Sequence, residues 1–116
     1  MWWIIGGVCG ALGVALGAFG AHGLEDILAI GKAESWWDTA ARYHLVHALA
    51  LFAVAAHPRR PVLPGICFVV GILVFSGSLY AMALTQVTKL GMITPLGGAS
   101  FILGWLALAV WPRSTP

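Results

Sequence analysis

The sequence predicts an all-α membrane protein: a bundle of four transmembrane helices with one short interfacial helix between the first two. Of its 116 residues, 60% are hydrophobic and only 9% are charged, whereas soluble domains carry about 25% charged residues. Four apolar runs, each about the 20 residues that cross a bilayer, fill most of the chain, so we interpret residues 1–116 as a single transmembrane domain. The predicted spans are about 2–21, 36–56, 62–86 and 93–111.

Charge and cysteine usage argue against several classes of partner. The formal net charge of +2 is small and scattered, whereas nucleic-acid binding requires a clustered basic face. Cys9 and Cys67 lie inside apolar runs at a spacing that matches no metal or redox motif. We therefore expect no nucleic-acid partner, and the cysteines indicate no cofactor.

The first span is rich in glycine. Five glycines step by four and three residues, which places them on one helical face. Such a face lets another backbone approach closely, either within the chain or in a second subunit. We predict helix packing at this face, which comprises Gly6, Gly10, Gly13, Gly17 and Gly20.

The segment between the first two spans is the longest polar stretch. Residues 24–30 have an apolar side that suits a short surface helix, which we expect Gly31 to end. Ser35 and Asp38 fit a capping box at the start of the second span. Trp36 and Trp37 suit the lipid headgroup level.

The remaining turns set the predicted orientation. Residues 57–61 form a tight turn, and Pro95 stands in the first turn of the fourth span, where a missing amide costs little. With four spans, both termini and this turn share one side, which carries Arg59, Arg60 and Arg113, while Lys32 and Lys89 lie opposite with all four acids. The positive-inside rule then predicts both termini in the cytoplasm.

Polar side chains from all four spans fall in the half of the bilayer away from the termini. At about 1.5 Å per residue, His44 and His47 lie roughly 12 and 16 Å inward from Trp36. Polar residues of the third span lie roughly 21 to 27 Å from its inner end. This convergence predicts an outer-leaflet polar pocket and candidate ligand site. Its members are His22, Arg42, Tyr43, His44, His47, Ser76, Ser78, Tyr80 and Thr94.

The same residues permit other interpretations. Asp38 and Arg42 are four apart, which suits an ion pair, and the whole set could be a structural hydrogen-bond network between helices. A metal would need a third ligand beside His44 and His47, for which His22 is the only nearby candidate. No acid–base partner accompanies the serines of the third span as in a hydrolase. We therefore expect no catalytic residue and no bound metal.

Four segments, residues 15–24, 43–51, 75–80 and 94–98, occur together in this order and are followed by Gly104-Trp105. With these segments the chain resembles the small bacterial inner-membrane family called uncharacterised protein family 0382, or domain of unknown function 423, whose eukaryotic relatives are named transmembrane protein 256. The resemblance implies a four-helix multi-pass protein of the plasma membrane, and it brings no activity or catalytic residue to carry over.

Three functions remain open on sequence grounds. The first is a non-enzymatic membrane module that binds lipid or a small hydrophobic ligand, or that supports a larger assembly. The second is a small transporter or channel that uses the outer His/Arg cluster. The third is a membrane subunit with histidine-ligated haem or metal. We favour the first, with membrane lipids as partners and with a homo-oligomer as the expected state, because a lone four-helix bundle leaves much helix surface facing lipid.

Overall fold

The computed structural model describes residues 1–114, and within them four helices are long and apolar enough to cross a membrane. The predicted all-α fold with four such helices is confirmed. A π-helical turn interrupts the third span, and a 3₁₀ segment precedes the fourth. The elements are α1 (Trp2–His22), α2 (Glu25–Leu28), α3 (Ala33–Ala56), α4 (Val62–Gly71), the π segment (Ile72–Ser76), α5 (Gly77–Thr85), the 3₁₀ segment (Thr88–Met92) and α6 (Thr94–Val110).

The helices form a flattened bundle with α3 at its centre. α1 packs on α3, α3 packs on the third span, and α6 packs on α4 and the π segment. The Cα atoms extend 55 × 26 × 16 Å, so the molecule is thin in one direction. Only 17% of the most apolar 18-residue stretch is buried in α1 and in the fourth span, Thr88–Val110, against 50% in α3. The two flanking helices therefore turn most of their surface outward.

We call the end that holds both termini and the 57–61 turn the inner end, and the opposite end the outer end. The interior near the inner end is mostly apolar, although His57 in the turn is also buried. One cluster of buried aliphatic and aromatic side chains joins α1, α3, the third span and α6 there. Its members are Trp2, Ala50, Leu51, Val54, Ala55, Phe68, Ile72 and Phe101.

The connection at the outer end differs in detail from the prediction. The short helix α2 is present, but it ends at Leu28, before Gly31, whose φ of +57° lets the chain reverse. α3 begins at Ala33 without a side-chain cap, so the predicted cap at Ser35 is wrong. The helix starts earlier because Ala33 is fully buried in a small apolar cluster. That cluster comprises Leu24, Leu28, Ala33, Trp37 and Ala83.

The five glycines of α1 do not share one environment. A Cβ atom at Gly20 would overlap the indole of Trp37, one at Gly13 would lie 2.7 Å from Leu45 Cδ2, and one at Gly6 would also press on α3. A Cβ atom at Gly17 would lie 3.9 Å from that of Ala41, and one at Gly10 would meet nothing within 4 Å. Glycines seven apart therefore face α3, and Gly10 faces outward.

The π segment brings the third span against α6. A Cβ atom at Gly97 would overlap the backbone nitrogen of Phe75 and lie 2.7 Å from its Cα atom. Gly71 and Gly104 similarly leave room for the rings of Phe101 and Phe68. A π turn adds one residue to a helical turn and is often found at functional sites. It was not predicted, because contacts between spans select it rather than a local sequence pattern.

Candidate functional site

Two buried histidines on α3 lie at the centre of the predicted polar cluster. His44 and His47 are 4% and 3% exposed. They are three residues apart, so they share one side of the helix, yet they reach different partners. His44 contacts Tyr80 on α5, and His47 contacts Trp105 on α6. The central position of α3 lets one helix bond to two others through neighbouring side chains.

His47 uses both of its ring nitrogens. Its Nδ1 lies 2.7 Å from the carbonyl oxygen of Tyr43, and a carbonyl only accepts, so Nδ1 carries the ring proton and donates. The indole N–H of Trp105 donates to Nε2 of His47 over 2.9 Å. The imidazole also stacks on Phe101 with ring centroids 3.5 Å apart. These contacts fix His47 as a neutral ring with no lone pair to spare.

His44 is satisfied on one side only. Its Nδ1 lies 3.0 Å from the hydroxyl of Tyr80, and either group can be the donor. Its Nε2 is buried, and within residues 1–114 it has no hydrogen-bond partner of standard geometry. The ring packs beside Gly13 of α1, whose missing side chain leaves space for it. His44 is therefore the member of the cluster with unused hydrogen-bonding capacity.

The hydroxyl residues of the third and fourth spans bond across helices. Ser76, at the end of the π segment, donates to the carbonyl of Ala40 on α3 over 2.8 Å. Ser78 and Thr94 share a hydrogen bond between their hydroxyls, which joins α5 to the start of α6. Ser78 can also donate to its own helix at the carbonyl of Phe75. The structure thus brings Ser78 together with Thr94, as it does His44 with Tyr80.

The remaining predicted members lie at the surface. His22 ends α1 and is exposed, as is Arg42, and Tyr43 is 41% exposed, with its carbonyl rather than its phenol bound to His47. Arg42 lines a surface cleft of about 590 Å³. The outer-leaflet pocket as a ligand site stays a prediction. The other residues that line the cleft are Gly31, Lys32, Glu34, Ser35, Asp38 and Thr39.

Sequence reasoning missed three of the bonding groups. Trp105 was not assigned to the cluster, and Ser100 donates to the carbonyl of Cys67 over 2.8 Å. Trp37, predicted at the headgroup level, is 3% exposed and donates to the carbonyl of Leu16 over 2.9 Å. Gly20 explains that burial, because its missing side chain makes room for the indole. A buried Trp generally needs a hydrogen-bond acceptor for its indole N–H, so the tryptophans themselves were the sequence feature from which these bonds could have been predicted.

The arrangement limits what the cluster can do chemically. A metal or haem ligand must present a free lone pair, and that of His47 accepts from Trp105. Within residues 1–114, no three His, Cys, Asp or Glu side chains are grouped to hold a metal. The hydroxyl of Ser76 donates to a backbone carbonyl instead of to a base. The buried polar side chains of this cluster thus mainly join helices, and within the cluster His44 Nε2 is left without a partner of standard geometry.

Comparison with known proteins identifies the family. The model of the family described as "Protein of unknown function (DUF423)" matches residues 16–98. The UPF0382 membrane protein YwdK of Bacillus subtilis is 45% identical over 115 residues, covering 92% of this chain and 91% of the relative. A UPF0382 membrane protein of Haemophilus influenzae is 47% identical over 100 residues, covering 83% of this chain and 80% of the relative.

The name of a more distant relative specifies the membrane in which that relative lies. The UPF0382 inner membrane protein YgdD of Escherichia coli is 35% identical over 113 residues, covering 92% of this chain and 85% of the relative. No solved structure matches the chain. The family match and these relatives, which align over most of the chain, confirm the resemblance to this family. The chain therefore belongs to the DUF423 family of UPF0382 membrane proteins.

Proposed function

We propose that this protein is a non-enzymatic membrane module: its internal polar cluster holds the helices together, and its exposed helix faces contact lipid, a small hydrophobic ligand or another subunit. The observation that carries this proposal is the use of the buried polar groups. The side chains of His47, Ser76 and Ser78 bond to other helices or to their own backbone. They are occupied in holding the bundle, and little of their hydrogen-bonding capacity remains for a substrate.

The flattened shape favours an assembly of several copies. α1 and α6 are the least buried spans, and Gly10 on α1 leaves open space where a second backbone could approach. Between apolar helices in lipid, close van der Waals packing drives association, and small residues favour it. We therefore propose a homo-oligomer that uses the outward side of α1, with lipid covering the rest.

The experiment is to extract the protein with its surrounding lipids in polymer nanodiscs, and then to measure the particle mass and identify the bound molecules. We expect an oligomer with retained lipid. Gly10→Leu should dissociate it, whereas Ala15→Leu, on another exposed side of α1, should leave it intact. A monomer without any retained lipid or hydrophobic molecule would contradict the proposal.

A small proton-dependent transporter is the second candidate, because one observation favours it. Polar groups without partners are costly inside a membrane and often mark an ion pathway, and His44 Nε2 is buried and makes no hydrogen bond of standard geometry within residues 1–114. The test is ion and solute flux in proteoliposomes. Flux that His44→Ala abolishes would replace the module proposal, and absence of flux would remove this candidate.

The location in the inner membrane and the orientation belong to the same proposal. Cysteine-reactive labelling of whole cells would test them in a background with Cys9→Ala and Cys67→Ala. A membrane-impermeant reagent should label Lys32→Cys at the outer end and spare Arg59→Cys at the inner end. The reverse pattern would place both termini outside the cytoplasm.

A further inference from the structure

The two ends of the bundle carry different charge. Arg59, Arg60 and Arg113 lie at the inner end, which has no acidic side chain, because all four acids lie between residues 25 and 38. Arginine presents a planar fork of donors that matches phosphate, so it is common in phosphate sites. Within residues 1–114, the inner end is thus a cationic surface without acidic side chains.

A cleft at this end combines cationic and apolar walls. It has a volume of about 530 Å³, with two arginines at its rim and α4 as its wall. The wall side chains Val62, Leu63 and Ile66 are 54%, 52% and 49% exposed, so they offer contact area that nothing within residues 1–114 covers. The full lining is Arg59, Arg60, Pro61, Val62, Leu63, Ile66 and Trp111.

The backbone of the turn presents the two arginines in defined positions. Nδ1 of buried His57 accepts a hydrogen bond from the backbone N–H of Arg59 over 3.1 Å. Arg60 has a φ of 42°, in the left-handed region that is uncommon for residues other than glycine. Strained backbone often marks a functional position. Glycine adopts this backbone conformation more easily than arginine does, so the conformation of the turn does not explain why residue 60 is an arginine.

Arg60 also borders a second, smaller cleft. This cleft of about 220 Å³ lies on the side of α1, and tryptophan rings form part of its wall. Tryptophan rings are typical of the interface between headgroups and acyl chains. Arg60 therefore lines both clefts, at the end of the spans where lipid headgroups are expected. The lining of the smaller cleft is Met1, Trp2, Trp3, Ala55, Arg60 and Val62.

We propose that the inner end binds the headgroup of an anionic phospholipid, with its phosphate at Arg59 and Arg60 and an acyl chain along the exposed side chains of α4. The apolar wall distinguishes a lipid from free phosphate. The sequence has no acidic residue at this end that could pair with a headgroup amine. An anionic headgroup is therefore favoured over one that also carries an amine. This deepens only the lipid-binding part of the proposed function, so its failure would leave the oligomer unaffected.

The experiment titrates purified protein in non-ionic detergent with phosphatidylglycerol and counts bound lipids by native mass spectrometry. Phosphatidylcholine with the same acyl chains and inorganic phosphate alone are the comparison ligands. We expect phosphatidylglycerol to bind at least about tenfold more tightly than phosphatidylcholine, because each arginine near a headgroup contributes about fivefold. Equal binding of the two lipids, or inorganic phosphate that displaces phosphatidylglycerol at equal concentration, would overturn the proposal.

Two double variants with the same net charge localise the site. Arg59→Gln with Arg60→Gln should weaken phosphatidylglycerol binding about 25-fold, at about fivefold for each arginine. Lys32→Gln with Lys89→Gln removes the same charge from the outer end and should change binding less than about twofold. Equal effects of the two pairs would mean that general charge, and not the cleft, attracts the lipid.

Arg60→Gly separates lipid binding from folding. Glycine relieves the positive φ, so the lipid-free variant should unfold at the same temperature as the wild type or higher. Its affinity for phosphatidylglycerol should fall about fivefold, and Arg60→Lys should keep most of it. A glycine variant with unchanged affinity would remove Arg60 from the site.

Discussion

The inner and outer halves of the bundle are held together in different ways. Near the inner end, rings and aliphatic side chains pack in one apolar cluster that includes Phe68 and Leu51, both fully buried. Towards the outer end the apolar clusters are smaller, and hydrogen bonds between helices join α3 to α5 through Tyr80 and the third span to α6 through Thr94. In lipid, packing and hydrogen bonds must supply the association that water would otherwise drive.

This difference indicates which kind of contact should contribute more to the stability of the bundle. Hydrogen bonds between membrane helices average only about 0.6 kcal/mol, because groups in the unfolded chain also find partners in the membrane. A void in a packed interior loses contacts that lipid cannot replace. We therefore expect close packing to dominate stability, and the hydrogen bonds mainly to select which helix faces meet.

The largest effect should come from Gly97→Ala, at a close backbone approach in the outer half. The new Cβ atom would overlap the backbone of Phe75, which cannot move aside as a side chain can. We expect a loss of about 3 kcal/mol, the upper end of the usual cost of overpacking. The measurement is unfolding in mixed micelles with a rising mole fraction of sodium dodecyl sulfate.

Gly98→Ala is the matched control, because its Cβ atom would lie 3.7 Å from the nearest Phe75 ring atom, an ordinary contact. It should unfold like the wild type. Equal stability of the two variants would mean that the π segment and α6 can separate without cost, and the close approach would then not be needed for the fold.

Phe68→Ala should have the next largest effect, because it empties the centre of the apolar cluster. The ring is fully buried and lies against Gly104. In soluble proteins such a change costs about 3–5 kcal/mol, and we expect about 2 kcal/mol here, since unfolded chain in lipid does not expose the ring to water. Ile66→Ala, at a position 49% exposed, should cost under about 0.5 kcal/mol in the same unfolding assay.

Trp105→Phe tests the hydrogen bond at the middle of the bundle. It removes the donor to His47 Nε2 and leaves that buried nitrogen without a partner. We expect a loss of about 1 kcal/mol, within the range measured for bonds between membrane helices. Trp3→Phe, at a ring 52% exposed, is the control for losing an indole. If Trp105→Phe lost as much stability as Phe68→Ala, the hydrogen bonds would contribute as much to stability as the packing does.

Ser76→Ala should have the smallest effect of the series. It removes one donor to the Ala40 carbonyl, so we expect a loss of about 0.6 kcal/mol in the unfolding assay. Ser35→Ala removes an exposed hydroxyl that makes no helix cap and should be neutral. A cost above about 2 kcal/mol for Ser76→Ala would contradict the view that packing outweighs the outer hydrogen bonds.

The side chains of six of the nine predicted residues make hydrogen bonds within the bundle, but the sequence did not indicate which partner each one meets. Depth along a helix follows from residue number, so the polar residues could be assigned to one half of the bilayer. Which side chain each one meets depends on helix rotation, which spacing does not give. His44 and His47 both belong to the predicted pocket, yet they bond to Tyr80 and Trp105 on different helices.

The sequence by itself determined the four spans and the position of Pro95 at the start of α6, because a backbone in lipid must satisfy its polar groups within each helix. The tertiary structure alone decided three other features: which α1 glycines face α3, the π turn before Ser76, and the strained backbone of Arg60. Each of these arises where one element packs against or turns towards another, and the energy of such contacts does not reside in any local stretch of sequence.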